Sequence, residues 1–279
     1  MRRLAALVLC AGVALPAWAD GLDAGPTDHV ALDLPKDVAI TVAGAVGSLV
    51  PLIFASQLGP SQCRWCGGPL GEPVNPVDDW FHQRLTGSVL SVGTANAFSS
   101  VLAYGVLPAG ALGAALFATG PDATAGAGLR NVVIVAESVA VAGTLTNGLK
   151  LATARQRPSV HYGNATMFAS DANQSFPSGH TTIAAAVGTS AAMLATLERS
   201  PTAPWLWGAT GVLTAATGTL RMVSENHYLT DVLAGAAIGA GCGVLFPLLH
   251  RRGSLLGGNA VPLLTATDGG AALGVAGAF

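Results

Sequence analysis

The sequence predicts an all-α bundle of about six long apolar helices embedded in a membrane, closed by a short C-terminal hairpin or disordered tail. Three observations predict it. Only 10% of the 279 residues are charged, against roughly a quarter in soluble domains. The few charges are separated by uncharged runs close to the ~20 residues that cross a bilayer. The chain also holds 36 glycines, the residue that lets helices in lipid approach closely. A net charge of −2 offers no electrostatic basis for binding nucleic acid.

The opening stretch, "MRRLAALVLCAGVALPAWAD", has the form of a secretory signal over residues 1–19. Arg2 and Arg3 supply the positive region, residues 4–15 the apolar region, and "AWA" before Asp20 a small-residue cleavage site. A plain N-terminal anchor is the other reading. Residues 20–37 form a polar lead-in with Asp20, Asp23, Asp28, Asp33 and Asp37.

The helical domain is expected over residues 38–252. Its uncharged stretches are 38–57, 85–121, 181–197, 200–220 and 232–249, and residues 131–148 join them with one charge, Glu137. An intramembrane acid is a functional suspect by default, or a buried partner for a cation. The second stretch is too long for one straight helix, and Gly105 and Pro108 offer a break within it.

Between the first two stretches, "CRWC" places Cys63 and Cys66 in an exported loop, where a local disulfide is the simplest expectation. Neither a thioredoxin-like context nor a zinc set is present around them. Cys242 reads as a small buried hydrophobe. In "NPVDDWFHQRL", Asn75 and Pro76 start a short helix whose Asp78 and Asp79 favour its positive end. That helix lies at an interface or caps the bundle.

Orientation receives two conflicting signals. Arg130, Arg199, Arg251 and Arg252 share one end of a six-span arrangement, which the positive-inside rule makes cytoplasmic. Residues 151–180 and 221–231 then lie outside, in the cell envelope. A cleaved signal reverses the parity. In the tail, 253–279, the run "TDGG" between two apolar segments signals a hairpin.

The chemistry gathers at the outer helix ends. "SFPSGHTT", residues 175–182, introduces a bland apolar helix with Ser178, Gly179 and a titratable His180. The third helix runs out into "KLATARQRPSV" and the fifth into "LRMVSENHYLTDVLAG". Helix ends meeting there bring Lys150, Arg155, Arg157, Arg221, His227 and Asp231 within reach of Ser178–His180. Cations converging beside a helix N-terminus describe an oxyanion site, with phosphate the obvious candidate.

The spacings sharpen the reading. Lys150 precedes the pair Arg157–Pro158 by seven residues, Pro177-Ser178-Gly179-His180 follows, and Arg221 precedes His227 by six and Asp231 by ten. This order resembles the type-2 phosphatidic acid phosphatase superfamily, which includes lipid phosphate phosphatases, bacterial class A acid phosphatases and vanadium haloperoxidases. Its pattern is Lys-x6-Arg-Pro, Pro-Ser-Gly-His and Ser-Arg-x5-His-x3-Asp; here Leu220 replaces the Ser before Arg221.

The resemblance implies a phosphatase with His227 as nucleophile, Asp231 fixing its tautomer, and His180 donating a proton to the leaving oxygen. It implies that Lys150, Arg157, Arg221, Ser178 and Gly179 hold the phosphoryl oxygens. No metal or cofactor is expected. Vanadate enters only under the haloperoxidase alternative, where it would occupy the phosphate site on His227. A soluble periplasmic acid phosphatase and an inactive membrane bundle are the other readings. The expected partners are a membrane and a lipid or small-molecule phosphate. Arg155 either meets a second phosphate or snorkels to water.

Overall fold

A computed structural model describes residues 29–86, 90–117, 119, 124, 126–163, 171–252, 261–267 and 270–276. The signal at 1–19 and the start of the polar lead-in lie outside the described residues. Among the described residues, six long helical rods form: α1 (Leu34–Ile53), the rod of α4 (Val92–Val101) and α5 (Leu107–Phe117), α6 (Ala127–Thr153), α8 (Gly179–Leu197), α9 (Ala203–Val223) and α10 (Leu229–Leu249). Short helices α2 (Ala55–Leu58), α3 (Pro76–Leu85) and α7 (Pro158–His161) sit in the connections. Beyond the bundle, β1 (Val261–Thr267) and β2 (Gly270–Ala276) pair antiparallel, with Thr267 opposite Gly270. The tail is thus a hairpin.

Among the described residues, five rods are long and apolar enough to cross a membrane: α1, Val92–Leu116, α6, α8 and α10. The rod α9, expected as a sixth span, matches them in length but is not apolar enough to join them. The second stretch also differs from expectation. It does not break at Gly105 or Pro108; a π-helical turn over Leu102–Val106 joins α4 to α5. Wider winding absorbs the Pro108 ring, which would otherwise meet the carbonyl four residues back.

The helix α8 is central. In its apolar window 72% of residues are buried, against 11% in α1. Accordingly α8 is built of Ala, Thr, Ser and Gly, whereas α1 shows Val42, Val46, Leu49 and Ile53 to its surroundings. In lipid, burying apolar surface does not drive helices together, so close backbone packing must. Gly235, Gly239 and Gly243 of α10 provide it against α8. A Cβ at Gly239 would stand 2.2 Å from the Thr182 carbonyl oxygen, and one at Gly235 2.5 Å from that of Ser178. This packing sets the N-terminus of α10 beside the N-terminus of α8, where the titratable residues lie.

Successive rods alternate direction. Val30 bridges Arg251, so the bundle starts and ends at the arginine-bearing end. Ser48 and Leu52 of α1 reach the opposite end, beside Lys150 and His227.

Candidate functional site

A cavity of about 350 Å³ opens at that opposite end. Lys150 (the last turn of α6), Arg157, Gly179, His180, Arg221 and His227 all line it. Six residues separated by up to 77 positions therefore meet because four helix ends do. Ser178 and Asp231 do not line it; both stand behind this wall, fully buried.

The two histidines are held differently. The Nδ1 of His227 lies 2.6 Å from the Ser175 carbonyl oxygen, an acceptor, so Nδ1 carries the hydrogen and Nε2 keeps its lone pair. Asp231 does not reach the ring as a hydrogen-bond acceptor: its Oδ2 is 3.7 Å from Nδ1. It acts one step back, accepting from the Ser175 hydroxyl at 2.6 Å and from the Tyr228 amide at 2.9 Å. Burial first, and then the charges of Arg221, Arg157 and Lys150, hold the His227 imidazole well below its usual value, against the pull of the Ser175 carbonyl. The His180 Nε2 is 3.2 Å from the Ser100 hydroxyl, and the Tyr104 ring meets its imidazole edge-on.

The cations are aimed by neutral or carboxylate partners. Arg157 donates to Asn226 Oδ1 at 2.6 Å, to Asp171 Oδ2 at 3.0 Å and to the Asp171 carbonyl. Arg221 donates to Asn96 Oδ1 at 2.6 Å and to the Ser99 hydroxyl, while its buried Nε has no protein acceptor. A Cβ on Gly179 would stand 3.6 Å from Lys150 Nζ, so the missing side chain leaves open the space an oxyanion on Lys150 would need. Ser178 departs from its expected part. It occupies the N-cap position, but its amide donates to the Asp231 carbonyl at 3.0 Å and its hydroxyl contacts that of Thr181. The free amides at this helix end start at Gly179.

Arg155 faces neither the cavity nor solvent. It is 1% exposed, pairs with Asp78 at 2.8 Å and with Asp231, and lies between the rings of Trp65 and Tyr228, each 4.2 Å from its guanidinium carbon. Trp65 is delivered by the Cys63–Cys66 disulfide loop. Asp78 and Asp79, expected to decorate the start of α3, instead turn inward: Asp78 also accepts from the Thr230 amide, and Asp79 from the Tyr162 hydroxyl. The apolar residues Val77 and Trp80 are the exposed ones.

Sequence reasoning missed Asn96, Ser99 and Ser100 of α4, which face Arg221 and His180. Their spacing of three and four residues in an otherwise apolar helix was the available signal. Nothing in the sequence pointed to Ser175 or Asn226 beyond their neighbourhood.

A second, apolar groove of about 580 Å³ adjoins the cavity. It runs between α1, the α4–α5 rod, α6 and α8, and shares Ser48, Leu52, Tyr104 and Ile183 with the cavity.

Residues 131–254, which contribute every cation and both histidines above, match the PAP2 superfamily. The family match is confined to this segment, less than half of the chain. Within residues 131–254 lie most of α6 and all of α7 to α10, whereas α1 and the α4–α5 rod, which supply the groove's other wall and the Asn96–Ser100 face, precede them. Two similar proteins are both named lipid A 1-phosphatase. One, from Porphyromonas gingivalis, is 35% identical over 101 residues, covering 36% of this chain and 20% of the relative. The other, from Rhizobium johnstonii, is 35% identical over 128 residues, covering 43% of this chain and 48% of the relative. The chain thus matches less than half the length of these curated relatives. No solved structure matches it at comparable stringency.

Proposed function

We propose that the protein is a metal-independent lipid phosphatase that works through a phosphohistidine. One observation carries the lipid assignment: the apolar groove is continuous with the cationic cavity and shares four lining residues with it. A phosphate headgroup in the cavity would leave its apolar part in the groove, at membrane depth. A soluble phosphomonoester would leave that groove unused, which disfavours the acid-phosphatase reading. The relatives' name and the headgroup chemistry suggest four substrates to compare: a lipid A 1-phosphate, phosphatidic acid, phosphatidylglycerophosphate and an isoprenyl diphosphate.

In the proposed reaction the Nε2 lone pair of His227 attacks phosphorus while the bond to the leaving oxygen breaks. Lys150, Arg157, Arg221 and the Gly179 amide hold the non-bridging oxygens, where negative charge spreads in the transition state. The negative charge of the bound phosphate favours protonated His180, which gives its proton to the leaving oxygen. Water, deprotonated by the now neutral His180, then attacks the phosphohistidine and frees phosphate and His227. Asp231 and Ser175 keep the Nδ1–H directed away from the substrate throughout and stabilise the transient positive ring. We further propose that this end of the bundle faces the periplasm, from the arginines at the other end.

Phosphate release by the full chain in detergent, measured on the four lipids and on p-nitrophenyl phosphate without added metal, tests the reading. Turnover of at least one lipid, lost in His227→Ala, is expected. Full activity of His227→Ala would remove the nucleophile assignment, and activity on p-nitrophenyl phosphate alone would remove the lipid one.

A further inference from the structure

At the arginine-bearing end, far from the cavity, three ligating side chains from three helices converge. Asp37 of α1, Glu137 of α6 and His250 at the end of α10 place one oxygen or nitrogen each within 4.8 Å of the others. Asp37 and Glu137 are both 1% exposed. The Glu137 Oε2 is buried and makes no hydrogen bond. An ionised oxygen left this way in a dry interior is costly unless a cation meets it.

The imidazole is already set to act as a ligand. His250 Nδ1 is 2.8 Å from the Phe246 carbonyl oxygen, so it carries the hydrogen and leaves Nε2 facing the two carboxylates. Donation of one ring N–H to a carbonyl while the other nitrogen binds an ion is the usual arrangement of a metal-bound histidine. The Asp37 Oδ2 is likewise steadied by the Asp33 amide at 2.8 Å.

Charge alone admits two occupants. A proton on Nε2 would answer one carboxylate, and a divalent ion would answer both. The distances separate them. Nε2 stands 3.3 Å from Asp37 Oδ2 and 3.3 Å from Glu137 Oε2. Charge-assisted N–H···O bonds close to about 2.7–2.9 Å. Ligand atoms ~2.0–2.1 Å from a tetrahedral zinc ion stand about 3.3 Å from one another. We propose that Asp37, Glu137 and His250 bind a divalent transition ion of the zinc class, which ties α1 and α10 to the middle of α6.

Glu137 precedes Lys150 by thirteen residues, about 20 Å along the helix at 1.5 Å per residue. The ion would therefore act on the bundle and take no part in turnover. The test reads metal directly and needs no activity assay, so its failure leaves the phosphatase reading untouched. The full chain in detergent is loaded with ZnCl2 at neutral pH, desalted and measured for zinc. Close to one zinc per chain, and a thermal midpoint several degrees above that of the chelator-treated protein, are expected. Glu137→Gln should lose both. Loading with Co2+ gives an independent reading on the unaltered chain, because a four-coordinate N/O site produces intense visible bands. No retained metal and no cobalt spectrum would show that a proton alone fills the site and overturn the proposal. Equal binding by Glu137→Gln would overturn the assignment of ligands.

Discussion

Arg155 and Asp231 form a fully buried ion pair directly behind the His227 ring, and Asp78 of α3 closes the other side of the same guanidinium. Neither Arg155 nor Asp78 touches the cavity. The pair governs where Asp231 sits, Asp231 holds the Ser175 hydroxyl, and the Ser175 carbonyl holds the His227 ring. Arg155 is thus a positioning residue. Arg155→Ala leaves two buried carboxylates without a cation and should cost about 3–5 kcal/mol of stability. Where folded protein is recovered, kcat should fall more than KM rises, and thermal unfolding alongside steady-state kinetics would show both. Loss of stability with unchanged kcat would confine the pair to the fold.

The pH response follows from His227. Its imidazole is held well below 6.5 by burial and three cations, and its neutral form is the nucleophile. The acid limb of kcat/KM should therefore lie below pH 6.5. Unfolding frees the ring to titrate normally, so the unfolded chain takes up the proton first. The stability contribution is full above pH 6.5 and is lost as pH falls below it. Denaturant titrations of wild type and His227→Gln over pH 4–8 should show the variant losing less stability on the acid side.

The glycine seam of α10 should tolerate almost nothing. Gly239→Val sets a branched Cβ about where the Thr182 carbonyl lies, and overpacking of this kind costs at least 1–3 kcal/mol. Separation of α8 from α10 would also part Gly179 and His180 from His227. Reduced folded yield, with the survivors nearly inactive, is expected. Gly241→Ala, where an added Cβ meets nothing within 4 Å, is the matched control and should behave as wild type.

Ala136 lines the groove but not the cavity. Ala136→Trp would fill the groove while leaving the cations in place. It should lower kcat/KM for a lipid phosphate by on the order of tenfold, the equivalent of about 1.4 kcal/mol. Turnover of p-nitrophenyl phosphate, where measurable, should stay the same. Equal losses on both would mean the substitution disturbs the cavity itself.

The six rods and the convergence of Lys150, Arg157, His180, Arg221 and His227 were legible because both rest on local spacing. Uncharged runs of bilayer length set the helices, and three ordered motifs set their meeting ends. What was not legible depends on contacts between distant stretches. Asp78 looked like a helix-start acid, because nothing nearby in sequence shows that Arg155 lies 2.8 Å away. Ser178 looked free to bind an anion, because only the folded α10 brings the Asp231 carbonyl to its amide. The π-helical turn at Leu102–Val106 was read as a break, since sequence marks the stress at Pro108 but not how it is absorbed.

The bridge between Val30 and Arg251 brings the domain's entry and exit strands together at the end of the bundle away from the cavity. The helix α10 alone is 21 residues long, which sets that junction about 32 Å from the cavity mouth at 1.5 Å per residue. Anything joined to the domain at either point emerges there, clear of the mouth. The bundle can therefore act as a cassette: fluorescent proteins, purification handles or whole extra domains attached at these two points would leave access for phosphate and lipid unobstructed.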